Sequence, residues 1–258
     1  MHALGIWHMQ SRYDRDQFIK VNLTAVPAED QHNFNRLTQA ESVNYTPYEY
    51  GSVMHQSAQA FATTGLSMTP IRARYLQTLG SQHISFYDIS IINTLYKCNG
   101  KCATTGAKCT NGGKPNPRNC AVCICPAGYG GALCNMRPAG CGAVLTAAST
   151  WKGKKVVVGN ATNGVIRDTY TICNDWIKAP AGKKVQVQVA ILKGVYCNFG
   201  CWNHGIEMKT LPNKLNTNPR ACCPGHLKQV LTSSLNPTPV ITYSNFLQSE
   251  ITFQYRYI

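Results

Sequence analysis

The first 97 residues contain no cysteine, although the chain holds 13. That stretch can form no internal disulfide and must keep its shape by burial and hydrogen bonding. Acidic residues are scarce too, with 11 set against 25 lysines and arginines for a formal net charge of +14. No apolar run approaches the roughly 18 residues of a membrane span, so the sequence offers no candidate transmembrane helix. His2 and Gly5 stand where the apolar stretch of a secretory leader would begin, so no signal peptide is legible.

The charge is unevenly spread. Residues 1–97 hold seven basic and seven acidic residues, residues 98–140 five basic and none acidic, and residues 141–258 thirteen basic and four acidic. The length suggests more than one domain. These composition shifts place boundaries at 97/98 and 140/141. A basic surface suggests a polyanionic partner, and the plain alternative is a solvated, soluble face.

The opening segment carries the most specific signal. His2, Gly5 and His8 form H-x-x-G-x-x-H. In the long zinc motif H-E-x-x-H-x-x-G-x-x-H, two histidines share a helix face, a glycine ends the helix, and the third histidine returns from outside it. Glycine suits that position because it tolerates positive φ. The segment from His2 to Asp16, the stretch Tyr50-Gly-Ser-Val-Met54-His55 and the run from Met68 to Cys98 occur in the order found in astacin-family zinc endopeptidases, which are metzincins. Residues 1–97 resemble the C-terminal half of that peptidase domain, mostly loops and short helices, and the whole resembles nematode members with EGF-like and CUB modules.

The resemblance implies one catalytic Zn2+ with His2 and His8 as ligands. Met54 would lie in the tight turn beneath the metal without binding it. Substrates would be proteins or peptides. The resemblance also exposes departures. No first zinc histidine and no catalytic glutamate are present. Gln56 stands where members usually have a tyrosine, and Met9 where many have a glutamate. The expectation is a chain cut just after a His-Glu-x, with its general base before Met1. Such a chain would be inactive, with residues 1–97 loosely folded and His2 mobile. The competing expectation is a catalytically inactive secreted EGF/CUB binding protein of the extracellular matrix. Arg12, Asp14, Arg15 and Asp16 read as a cluster bracing the loop after His8, or as a solvated charge run.

The cysteines fit a secreted origin. Cys102 to Cys134 end in C-x-C followed by CPAGYGGALC, which resembles an EGF-like module. That resemblance implies bridges Cys102–Cys120, Cys109–Cys123 and Cys125–Cys134. A zinc knuckle at Cys120, Cys123 and Cys125 is the weaker use of the same residues. Cys141 and Cys173-Asn-Asp-Trp176 resemble the opening of a CUB domain and imply a Cys141–Cys173 bridge. Pairing among Cys197, Cys201, Cys222 and Cys223 stays open, with adjacent Cys222 and Cys223 expected to take different partners. Cys98 is left over. In astacins its counterpart bridges to a cysteine near the start of the peptidase domain, and a free thiol is the alternative. Sequons occur at Asn22, Asn44 and Asn160. In an extracellular setting, a sulfated glycosaminoglycan is a better polyanion than nucleic acid.

The coarse fold expectation is α+β and multi-domain. Residues 1–3 read as the tail of a zinc helix, and residues 30–41 as mostly loop. Ser85–Tyr96 reads as a helix with Ile89, Ile92 and Tyr96 on one face. From residue 141 on, short alternating or β-branched runs such as Lys184–Leu192 and Ile251–Tyr257 suggest an all-β sandwich. Residues 98–258 are expected to fold without residues 1–97.

Overall fold

The computed structural model describes residues 1–162 and 164–258. The chain is mostly β, with one α-helix among the described residues.

Residues 1–97 are built mainly from loops and short 3-10 turns. Strands β1 (Ile19–Val21) and β2 (Met68–Pro70) pair antiparallel. The helix α1 spans Phe86–Leu95. Regular elements supply little of the order here, and side chains supply the rest. Ile19, Met68, Leu79 and Ala58 are fully buried. Phe18 stacks on Tyr48 with centroids 4.5 Å apart, and Tyr50 on Tyr75 at 4.3 Å. Arg12 braces this core through both nitrogens of one guanidinium edge to Asp14, and it also donates to the Thr46 carbonyl. Arg15 donates to the Gln10 and Phe34 carbonyls. The segment therefore differs from the loose fold expected of it, because large aromatic rings and buried guanidinia close the core without long elements.

The expected helix tail at residues 1–3 is replaced by a 3-10 turn, and the expected helix α1 is present with burial concentrated at one end. His2–Leu4 is a 3-10 turn that ends at Gly5 with φ 76°, where the Gly5 N–H donates to the His2 carbonyl. On α1 the buried residues are Phe86, Tyr87 and Asp88, followed by Ile91 and Ile92 at the core's edge. Tyr96 is exposed. Burial falls off along the helix rather than following a stripe, because only its N-terminal end docks.

Residues 98–140 form a small unit around the hairpin of β3 (Lys114–Asn116) and β4 (Asn119–Ile124). Disulfides join Cys102 to Cys120, Cys109 to Cys123 and Cys125 to Cys134. Few of its side chains are buried, so these covalent links do much of the holding.

Residues 141–258 form two facing sheets. Strands β5 (Val144–Thr146), β7 (Thr171–Lys178), β9 (His204–Met208), β10 (Arg220–Ala221) and β12 (Thr238–Ser244) make the first, in the order β10-β9-β12-β7-β5. Strands β6 (Lys152–Gly159), β8 (Val185–Lys193), β11 (Leu231–Thr232) and β13 (Gln248–Tyr257) make the second, in the order β11-β8-β13-β6. All pairs are antiparallel except β5 with β7. Period-two alternation builds the interior. Val185, Val187 and Val189 point inward with Ile251 and Phe253 and meet Ile177, Ile206 and Val240 of the other sheet. Disulfides Cys141–Cys173, Cys197–Cys223 and Cys201–Cys222 tie the loops.

The sandwich packs against residues 1–97 through a buried polar seam. Buried Glu49 accepts from the N–H groups of Gly51 at 2.9 Å and Thr217 at 3.0 Å. Tyr75 Oη donates to the Thr217 carbonyl, and the Arg220 N–H donates to Thr78 Oγ1. Glu207, Lys209 and Arg220 are all buried beside them. The two backbones nearly touch at Gly200, where φ is +91° and a Cβ would come within 2.2 Å of the Gly80 carbonyl oxygen. Backbone groups of Thr217 and Arg220 are satisfied by side chains of residues 1–97, so separating the two segments would give up these bonds and open the buried charges to water.

Candidate metal site

The tight turn at Gly5 reverses the chain between His2 and His8. It brings the two imidazoles together, with ring centroids 4.6 Å apart and planes at 72°. His2 is exposed and His8 half-buried. Trp7 lies beside them, 66% exposed, with its ring 6.4 Å from that of His2.

His8 is oriented from behind. Its Nδ1 lies 3.1 Å from the Met54 carbonyl oxygen, which can only accept. Nδ1 therefore carries the proton, and Nε2 keeps its lone pair. Burial holds the His8 pKa below the ordinary histidine value; the Met54 carbonyl opposes that shift and the neighbouring His2 adds to it. A neutral imidazole with a fixed tautomer is the form that binds a metal. Met54 thus acts through its carbonyl, while its buried side chain fills the core.

The turn carrying Met54 is itself clamped by Asp88. Ser52 Oγ and the Val53 N–H donate to the two carboxylate oxygens, and the Met54 N–H donates to Ser52 Oγ. The same carboxylate accepts from the Ser85 N–H at 2.8 Å while Ser85 Oγ caps the Asp88 N–H. This capping box starts α1 and fixes the Met54 turn at once. The Ser85-x-x-Asp88 spacing announces the cap; nothing in the sequence announces the second use of the carboxylate.

His55, although adjacent to Met54, is not available to a metal. Its Nδ1 donates to the Gln56 carbonyl at 2.8 Å, so Nε2 accepts from Tyr48 Oη at 2.8 Å. Complete burial pushes its pKa down to about 4. The backbone N–H of Gln56 donates to Gln10 Oε1, which ties the residue after the turn to the loop that follows His8.

Two imidazoles are a partial donor set. Among the described residues no group of three or more His, Cys, Asp or Glu could hold a metal ion. No histidine is followed by glutamate anywhere in the sequence. The residues present therefore fit two positions of a zinc site and leave it short of the three protein ligands of a catalytic centre.

The remaining candidate positions lie elsewhere. The six cysteines of residues 102–134 are all in disulfides, which removes them as metal thiolates, and Cys98 is a half-buried free thiol. Asn22 and Asn160 are exposed, each with its Oδ1 accepting from the hydroxyl of the threonine two residues on. Asn44 differs, because its amide nitrogen is buried without a partner. No helix is long and apolar enough to cross a membrane among the described residues.

Comparison with known proteins bears on this geometry. Residues 1–97 match the model of the Astacin peptidase family. The chain is 40% identical over 263 residues to zinc metalloproteinase nas-32 of Caenorhabditis elegans, covering 100% of this chain and 40% of that protein. It is 41% identical over 267 residues to zinc metalloproteinase nas-25 of the same organism, covering 100% of this chain and 66% of that protein. Among solved structures, the hatching enzyme zinc-protease high choriolytic enzyme 1 of Oryzias latipes is 33% identical over 36% of this chain and 46% of its own, with a TM-score of 0.32. The likeness therefore rests on sequence rather than on superposition. The chain spans 40% and 66% of the two nematode relatives' lengths.

Proposed function

Since the chain belongs to the astacin family of peptidases, we propose that it serves a secreted zinc metalloendopeptidase acting on extracellular proteins or peptides. Its residues 1–97 are assigned to the peptidase domain, 98–140 to an EGF-like module and linker, and 141–258 to a CUB-like domain. The observation that carries this is the pair His2 and His8, with His8 presenting Nε2 from a tautomer set by the Met54 carbonyl. Six disulfides support an oxidising, extracellular setting.

In this proposal His2 and His8 hold the metal. Met54, fixed by Ser52 and Asp88, keeps the His8 ring from turning. When bound, zinc supplies a Lewis acid for the scissile carbonyl and a water of lowered pKa. The third imidazole and the carboxylate base are not among these 258 residues, and base catalysis alone is worth roughly 10²–10⁴-fold. The chain by itself should therefore not hydrolyse peptides. Gln56 replaces the usual tyrosine, which should reduce the rate of a completed site without abolishing it. The basic surface of residues 141–258 is proposed to retain the protein on polyanionic matrix.

The test is a paired assay with zinc and a quenched peptide. One sample is this chain. The other is a chimaera joined at Met1 to an astacin-family N-terminal half ending in His-Glu-x. Chelator-sensitive cleavage by the chimaera alone supports the proposal. Cleavage by the short chain overturns its account of the missing groups, and a zinc-loaded but inert chimaera favours a non-enzymatic binding protein.

A further inference from the structure

We propose that a cavity on the outer face of the first sheet binds the carboxylate of a small aliphatic acid, head inward and hydrocarbon at the mouth. The cavity lies among residues 83–89, residues 125–127 and strands β7, β9, β10 and β12. None of its lining residues belongs to the His2–His8 pair or the turn of Met54, so the site goes beyond peptide hydrolysis. Its volume is about 240 Å³, room for several waters at about 30 Å³ each rather than for one bridging water.

Strand alternation builds the floor. Ile206 and Met208 of β9 point into the core, so Glu207 and Lys209 point outward. Ala221 of β10 also points inward, so Arg220, paired across from Glu207, points outward beside it. All three charged residues are buried. The two cations outnumber the carboxylate, and neither reaches hydrogen-bond distance of it: Lys209 Nζ lies 3.8 Å away and Arg220 Nε 3.6 Å. Lys209 Nζ donates to the Asn216 carbonyl and Arg220 Nη1 to Ser81 Oγ, while Arg220 Nε is buried with no hydrogen-bond partner among the described residues. His83 Nε2 is buried without a partner as well, on a ring stacked against Tyr170 at 4.0 Å and edge-on to Tyr243 at 4.5 Å. Burial, and then the charge of Arg220, hold the His83 pKa well below the ordinary histidine value, so the ring is neutral and can carry its proton at Nε2. The hydroxyls of Ser85 and Thr217 line the same cavity and donate to no group among the described residues. Glu207 already accepts the Asn218 N–H at one of its oxygens. A buried cluster of donors with an excess of positive charge calls for an anionic acceptor.

The mouth is of the opposite kind. Ile84 and Ile172 are 65% and 43% exposed there, and Ile89 and Leu215 add to an aliphatic wall. A sugar would find no partners for its hydroxyls on that wall, and an inorganic anion would leave it bare to water. A carboxylate on a short branched hydrocarbon satisfies both ends. Such a group occurs in a free aliphatic acid and at the end of a peptide that stops at leucine or isoleucine.

The probe is 4-methylpentanoate, titrated into the 258-residue chain at about pH 6, where it is ionised and buried Glu49 keeps its proton. NMR follows the Arg220 Nε–H and the His83 ring nitrogens, which should shift together and saturate at one ligand per chain. Acetate, which lacks the hydrocarbon, and 3-methylbutylamine, which lacks the carboxylate, should each bind at least about tenfold more weakly. Ile84→Asp with Ile172→Asp sets two carboxylates at exposed positions of the mouth and should weaken binding about tenfold or more. His83→Phe keeps a stacked ring but removes Nε2, and should weaken it about tenfold. Lys183→Ala with Lys184→Ala, beside β8 of the other sheet, should change it less than about twofold. N-acetylleucine competing as well as the probe supports the site and gives its source as a chain terminus; its exclusion while the probe binds supports the site and gives a free acid. Acetate binding as well as the probe would make this a plain anion site and overturn the proposal. Equal binding of the amine, unchanged affinity in both the mouth and His83 variants, or no saturable shift would overturn it too.

Discussion

Residues 1–97 and residues 98–258 solve the same problem in opposite ways. The first segment has no cysteine and few regular elements, and it is held by stacked aromatic rings, buried guanidinia and one carboxylate that several donors share. The second has six disulfides and two sheets whose alternation fills the core. The first therefore depends on single polar residues, while the second spreads its stability over many apolar contacts and covalent links. Where the two meet, buried charges of both segments share one network, so neither strategy operates alone.

The sharpest way to break the comparison is Asp88→Ala. It unpairs Ser52, the Val53 N–H and the Ser85 N–H in a segment with no bridge to compensate. A loss of about 3–5 kcal/mol should follow in denaturant unfolding, because the freed donors stay buried. Asp88→Asn should recover part of it. Next in size is Cys125→Ala with Cys134→Ala. This should cost the small central unit roughly 2–4 kcal/mol. Hydrogen exchange should show protection falling across residues 102–134 while Ile19 and Met68 keep theirs.

The shared seam can be read through pH. Burial pushes the Glu49 carboxyl up to about 7; the Gly51 and Thr217 N–H groups oppose that rise and Glu207 adds to it. The folded chain then keeps a proton that the unfolded chain releases above about pH 4.5. This contribution is complete below that pH and fades as pH rises towards 7, by about 3 kcal/mol at most. Glu49→Gln removes this dependence, so its stability relative to the parent should improve steadily from pH 4.5 to 7. His55 has the opposite sign. Its pKa of about 4 means its contribution is present above the ordinary histidine value and lost as pH falls from 6.5 towards 4. Comparing Glu49→Gln with the parent cancels the His55 contribution. The smallest effect is Tyr75→Phe, which loses the hydrogen bond to the Thr217 carbonyl and should cost about 1 kcal/mol in the same unfolding measurement.

How much is legible in the sequence follows the same divide. The strands of residues 141–258 are readable because alternation has a fixed period, as in Val185, Gln186, Val187, Gln188 and Val189. The H-x-x-G-x-x-H spacing and the Tyr50–His55 stretch point to one site although 41 residues separate His8 from Tyr50. Residues 1–97 resist this kind of reading. Phe18, Tyr48, Tyr50 and Tyr75 have no period, and their stacking is a tertiary fact. Helical spacing marks the α1 residues that share a face but cannot show that burial fades along the helix from Phe86, Tyr87 and Asp88. The seam is hidden because Glu49 and Arg220 read as surface charges until the fold buries them.

The central claim is that the Gly5 turn and the Met54 carbonyl hold His2 and His8 as two ligands of one zinc. It is tested most directly by following the histidine side-chain nitrogens by NMR while zinc is added to this chain. His2 and His8 should shift together at one zinc per chain, with the His8 Nδ1 proton retained and Nε2 taking the metal, while His55 stays unchanged. Zinc that perturbs His55, or that leaves His8 unaffected while His2 shifts alone, would contradict the claim.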